Sequence, residues 1–317
     1  MRSTRSQRLP ALASPVFRTF LGAAFVGNIG GWMSATAQGW LVLGLTDSAA
    51  ALGLTSAAGS VPTLFLSLLA GVLADRLDRR RILVGGQLAG GAVAALLAAL
   101  TTSGRVEYWQ VIVLAFLAGY ATAIAGPAIQ AIVTTLVPRA DIGNAVALNS
   151  AQFNLSRILG PMAAGIAIAA GGLAVAFWVN AIALFFVAIV LARLQLPPAS
   201  AMRAVESSMW SNLVDGFRFV HADRMVAVLL VLTIVPGLFL LNYLPLLPLY
   251  ARDILGIGAE GLGVLTAAIG IGALSGALGV AVLRPGGGSG MLAIGGLSVG
   301  SLALVVFGVS TALPISL

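Results

Sequence analysis

Runs of about twenty apolar residues, broken by short clusters of charge, recur along the whole chain, and this spacing constrains the fold more than any other feature. About twenty residues of α-helix cross a hydrocarbon core of about 30 Å. In lipid a backbone must satisfy its own hydrogen bonds, so such runs become helices. The expected fold class is therefore all-α, a polytopic membrane protein. Composition agrees: of 317 residues only 9% are charged and 59% belong to the apolar and aromatic set, against about 25% charged in an ordinary soluble domain. The lipid bilayer is the first partner implied.

Apolar runs bounded by charge, Pro or Gly predict nine spans, at 17–45, 49–74, 80–101, 108–131, 143–170, 173–192, 225–250, 260–283 and 290–312. All 17 basic residues are Arg. With the amino terminus in the cytoplasm, the short loops rich in Arg fall on the cytoplasmic side, as the positive-inside rule requires. Only Arg105 and Arg252 then lie outside, and Arg157 lies within a span. Arginines beside membrane spans argue for topology rather than for a nucleic-acid partner. The expected organisation is a cytoplasmic tail at 1–16, a six-helix bundle at 17–192, a cytoplasmic linker at 193–224 and a partial bundle of about three helices at 225–317. Within the linker, Trp210, Leu213, Val214 and Phe217 recur at helical spacing, which predicts an amphipathic helix.

Chemistry by side-chain clusters is poorly supplied. There is no cysteine and the single histidine is His221, which removes disulfide frameworks, thiolate metal sites and His clusters. No cofactor, no metal and no catalytic residue is expected. A membrane-embedded enzyme would need clustered His, Cys or carboxylates at membrane depth.

Between the second and third spans, Gly71, Leu73, Ala74, Asp75, Arg76, Arg79 and Arg80 stand in the pattern Gly-x-Leu-Ala-Asp-Arg-x-Gly-Arg-Arg. This resembles the signature loop of the major facilitator superfamily, departing from it at Asp78, where that family usually has Gly. A second block runs from Val137 through Asn144 to Pro161, and its portion at Gly160, Pro161 and Gly165 is similar to the fifth-helix antiporter motif, with Ser156 and Ala164 where glycines are typical. Together these resemble the enterobactin-exporter-like, drug-efflux branch of that superfamily. The resemblance implies two six-helix halves around a central cavity and a secondary transporter in a bacterial inner membrane. It implies export of small or amphipathic molecules, such as siderophores or drugs, by alternating access. The second half is expected to fall three helices short, so an inactive remnant or subunit, or an importer of the same fold, stands as the alternative. In the family the loop Asp engages the eleventh helix, a partner Asp75 would then lack.

Polar residues at membrane depth are the candidate cavity lining. Arg157 lies roughly 21 Å into the fifth span at 1.5 Å per residue, where an arginine needs water or a partner. It serves either an anionic substrate or a structural pairing with carbonyls near Pro161. Asn28, Gln38, Gln130, Asn149, Gln152, Asn154, Asn242 and Tyr243 could face the same space, and the family pattern favours Gln38, Asn242 and Tyr243 over Asn180. The glycine pairs Gly27/Gly31, Gly86/Gly90, Gly272/Gly276 and Gly296/Gly300 are candidates for close helix packing. Asp47, Glu107, Asp253 and Glu260 fall in loops, so no carboxylate is placed to carry protons mid-membrane. Proton coupling would rest on boundary acids such as Asp47 or Asp75.

Overall fold

A computed structural model describes residues 9–76, 78–194, 218–220, 222–239, 243–283 and 289–316. The chain forms α1 (Pro15–Thr46), α2 (Ala49–Arg76), α3 (Arg79–Thr102), α4 (Tyr108–Thr135), α5 (Ile142–Gly171) and α6 (Leu173–Arg193). It continues with α7 (Arg224–Phe239), the short α8 (Leu247–Asp253), α9 (Ala259–Leu283) and α10 (Ser289–Val309). Among the described residues, five stretches, Ala49–Leu66, Arg80–Thr102, Tyr108–Gly126, Arg139–Gly171 and Leu173–Arg193, are long and apolar enough to cross a membrane.

Local chemistry sets the helix ends. Ser14 accepts a hydrogen bond from the amide of Phe17 at 3.3 Å, and Pro15 follows it at the first helical position, where its missing N–H costs nothing. Asp78 accepts from the amide of Arg80 at 2.9 Å and opens α3. Glu107 and Gln110 form a capping box at the start of α4. Asp47 ends α1 in the left-handed region, at φ 49°, one of the few non-glycine conformations a short polar side chain tolerates.

One predicted span is corrected. The sequence reads as continuous from 225 to 250, but beyond α7 a 3-10 turn covers Leu244–Leu246 and a separate helix, α8, starts at Leu247. Pro245 and Pro248 cause the restart: each lacks an amide proton and its ring opposes the preceding turn, so both sit at the first positions of new helical segments. The proposed linker helix around Trp210 and Phe217 lies outside the described residues, as do His221 and Asn242.

Helix α1 packs on α5 and α6, α2 on α4, and α3 on α4 and α6; α9 lies along α5, and α8 touches α1. Between like-apolar helices in lipid, close packing and interhelical hydrogen bonds do the work that hydrophobic burial does in water. One buried cluster, with Phe17, Phe20, Leu83, Val133 and Leu191, ties together the end of the bundle that holds the chain start. A second, with Met33, Leu43, Leu97, Val111 and Phe177, fills the other end. A third, Leu247, Ala251, Leu262 and Leu265, joins α8 to α9. The apolar side chains of α7 and α10, among them Met225 and Val309, are exposed, as lipid-facing residues are.

Candidate functional site

Two cavities follow from this packing. The larger, about 840 Å³, is enclosed by α1, α3, α4, α5 and α6. The smaller, about 480 Å³, lies where α1, α2, α4 and α5 meet the turn at Leu244–Leu246, α8 and α9. Both volumes fall within the range of about 300–1,000 Å³ of small-molecule sites. Trp32, Ala35 and Gln38 of α1 and Ala115, Ala118 and Thr122 of α4 line both, so the two cavities adjoin and share this wall.

Of the residues singled out from sequence, Gln38 occupies this shared wall. Asn28 lines the larger cavity and donates to Gln152 at 3.2 Å, and Gln152 donates to Asn149 at 3.2 Å, so a polar chain bridges α1 and α5. Asn154 lines the same cavity and donates to the Ser150 carbonyl one turn back, at 2.9 Å. Arg157 lines the smaller cavity with Pro161. Because Pro161 has no amide proton, the carbonyl of Arg157 is released from the helical ladder at the same place. Tyr243 is half-buried, tilted against Phe307 at 6.2 Å, and stands within electrostatic reach of Arg157.

Gly160, Pro161 and Gly165 are all buried. A Cβ built on Gly160 would lie 2.4 Å from Cβ of Trp32, 3.1 Å from the Ile29 carbonyl oxygen and 3.3 Å from the Met33 nitrogen, so only glycine permits α5 to approach α1 here. Ser156, a departure from the motif, is fully buried and donates to the Gln152 carbonyl at 2.8 Å; its hydroxyl also lies 3.4 Å from the Phe25 carbonyl of α1. The paired glycines behave unevenly. Gly27, Gly86 and Gly90 meet neighbouring helices, whereas Gly31, Gly272, Gly276 and Gly296 face open space.

Two residues reached the site unannounced. Asn180, ranked below other candidates from sequence, lines the larger cavity, 7% exposed, with its Oδ1 unpartnered among the described residues. Trp32 stands edge-on to Phe153 at 6.0 Å across the α1–α5 contact. An aromatic at helical spacing carries no sign of its own that it borders a cavity.

In the loop between α2 and α3, Gly71, Asp75 and Arg76 belong to the final turns of α2, and Arg79 opens α3. Their side chains lie outside the described part of the structure. Arg80 is exposed, and Arg81 approaches Asp78 at 3.9 Å. The unexpected Asp78 thus has a local task as the cap of α3. At the opposite end of the bundle, the Arg252 guanidinium at the end of α8 donates to Asp47 at the end of α1 and to neighbouring Asp253. The hydrogen bond from Arg252 holds the Asp253 carboxyl below the usual carboxylate range.

The chain matches the family model described as transmembrane secretion effector over residues 6–316. It belongs to that family. That family falls within the major facilitator superfamily. Among its relatives, the multidrug efflux pump Tap of Mycobacterium tuberculosis (strain ATCC 25618 / H37Rv) is 33% identical over 259 residues, 78% of this chain and 60% of that protein. Tap of Mycolicibacterium fortuitum is 31% identical, over 74% of this chain and 59% of that protein. The staphyloferrin A transporter of Staphylococcus aureus (strain NCTC 8325 / PS 47) is 27% identical, over 77% and 62%. The chain therefore spans about three fifths of the length of these relatives. In fold it is similar to a bacterial homologue of the human lysosomal transporter Spinster, solved inward-facing and unoccupied, with TM-score 0.70 and 13% identity over 95% of this chain and 71% of that one. It is also similar to the nucleoside transporter NupG, with TM-score 0.66 and 14% identity over 84% and 68%.

Proposed function

We propose that this chain acts in secondary transport, exporting small or amphipathic molecules such as drugs or siderophores by alternating access. The bodies at 17–192 and 225–317 rock about the α5–α9 contact, with the amino terminus in the cytoplasm of a bacterial inner membrane. The observation that carries this reading is the pair of cavities sharing one wall at Trp32 and Gln38, because a carrier needs a site reachable from each side in turn and a barrier between them. Asn28, Gln38, Asn154 and Arg157 contribute to the substrate path, with Tyr243 beside the turn at Leu244–Leu246, and Asn242 is assigned to the same path from its place in the sequence. Broken helices at membrane depth are tolerated where they line a cavity.

In this reading Gly71, Asp75, Arg76, Arg79 and Arg80 gate the cytoplasmic end, and the Gly160, Pro161, Gly165 kink lets α5 bend during exchange. The Asp47–Arg252 pair holds the external end. An exposed ion pair suits a latch that must open in every cycle, since such pairs contribute little stability. Whether protons drive the exchange is part of the same test. Inverted membrane vesicles carrying the chain are loaded with a fluorescent drug, with and without a proton gradient, beside vesicles carrying Gln38→Leu. Uptake into wild-type vesicles above the Gln38→Leu level supports export, and dependence on the gradient supports proton coupling. Equal uptake in both would overturn the reading.

A further inference from the structure

We infer that the smaller cavity recognises an organic carboxylate through Arg157, so that the substrate is an amphipathic anion or zwitterion rather than a simple cation. This rests on the transport reading above and specifies the substrate class of the same site. Among the described residues lining the two cavities there is no Asp or Glu, and Arg157 is the sole charged one. A cation entering either cavity meets no counter-charge there, whereas an anion meets a guanidinium.

Arg157 is also uncommitted. Among the described residues it makes no ion pair and no hydrogen bond, neither to a carboxylate nor to the carbonyls near Pro161. A half-buried guanidinium at membrane depth without a partner is costly, and such residues mark substrate paths. Its planar fork of donors fits a carboxylate in two parallel hydrogen bonds. Of the hydroxyls lining this cavity, those of Thr36, Thr55, Ser60 and Thr266 are already engaged, each donating to a carbonyl of its own helix. The remaining lining, with Leu52, Leu244 and Ile269, is apolar and would take the hydrophobic body of the same molecule.

The test is equilibrium dialysis of the purified chain in a mild neutral detergent against 2-naphthylacetate and its uncharged isostere, 2-naphthylacetamide. Wild type is expected to bind the carboxylate at least tenfold more tightly than the amide. Arg157→Gln brings the carboxylate down to the amide level, and Arg157→Lys retains part of the preference. Amide binding unchanged in Arg157→Gln reports an intact cavity and separates loss of recognition from loss of fold. Equal affinities in wild type, or a preference that survives Arg157→Gln, would overturn the carboxylate inference and leave the transport reading standing. Binding of neither probe would overturn the inference and count against the cavity as a substrate site as well. Displacement of 2-naphthylacetate by phosphatidylglycerol added to the micelles would assign the guanidinium to a lipid headgroup and likewise overturn it.

Discussion

Gly160→Ala should destabilise the α1–α5 contact and disturb the wall that the cavities share. The added methyl would sit 2.4 Å from Cβ of Trp32, against an ordinary carbon–carbon contact of about 3.5 Å. No rotamer relieves this clash, because the Trp32 Cβ is fixed to its backbone and the other two close atoms belong to the backbone of Ile29 and Met33. The two helices must therefore part by about 1 Å, which forfeits part of the dispersion energy along the whole crossing. Overpacking of this kind costs about 1–3 kcal/mol. Alanine's better helix propensity returns roughly 0.5–1 kcal/mol, which leaves a net loss of about 2 kcal/mol at the upper end of that range. The control is Gly22→Ala on α1, where an added Cβ meets nothing within 4 Å, so only the propensity gain remains. Thermal unfolding in detergent micelles, followed by tryptophan fluorescence, should show the first variant melting well below wild type and the second at or slightly above it. A Gly160→Ala chain as stable as wild type would refute the close-approach argument.

Because the chain has no native cysteine, Asp47→Cys with Arg252→Cys allows a clean proximity test: a short bifunctional thiol reagent should join the two positions in high yield, and an absent product would remove the contact between α1 and α8. Asp78→Ala should cost about 1 kcal/mol through loss of the α3 cap, whereas Asp78→Gly should cost only a few tenths; equal melting of both variants would count against the capping role. The Asp253 carboxyl, lowered by its hydrogen bond from Arg252, contributes its stabilisation above the ordinary carboxylate value of about 3.9 and loses it as the pH falls through the lower folded value. Melting curves of wild type and Asp253→Asn should therefore converge in acid and separate toward neutral pH, and the reverse order would show the sign to be wrong.

The helix positions were legible because crossing a bilayer fixes a length, and the apolar runs of the sequence declare that length directly. The restart at Leu247 was not. Pro62, Pro161 and Pro236 all lie inside continuous helices, so one proline in a membrane helix does not distinguish a kink from an end. Pro245 and Pro248 together do, since two missing amides within one turn keep a helix from running through them and put each at the start of a new segment. Asp78 was legible as a departure from the family pattern but not as a cap, because that role depends on where α3 begins.

Which side chains border a cavity was harder to read for a reason specific to lipid. In water a helix advertises its buried face by the contrast between apolar and polar residues. In a bilayer the outward face is apolar too, so the direction in which Trp32 points leaves little trace in its own helix. Glycine pairs suffer the same ambiguity: Gly86 meets Ala125 while Gly272 and Gly276 meet open space, although all satisfy the same spacing. Polar residues are the exception, because a side chain that must find a partner cannot face lipid. This is why Asn28, Gln38, Asn154 and Arg157 could be named from sequence as candidates and Trp32, which lines the same cavities, could not. The same logic separates Arg157 from the rest. Asn28, Gln152, Asn154 and Ser156 find partners within or between their helices, and the requirement that brought Arg157 to a cavity, still unmet among the described residues, is left for a ligand to satisfy.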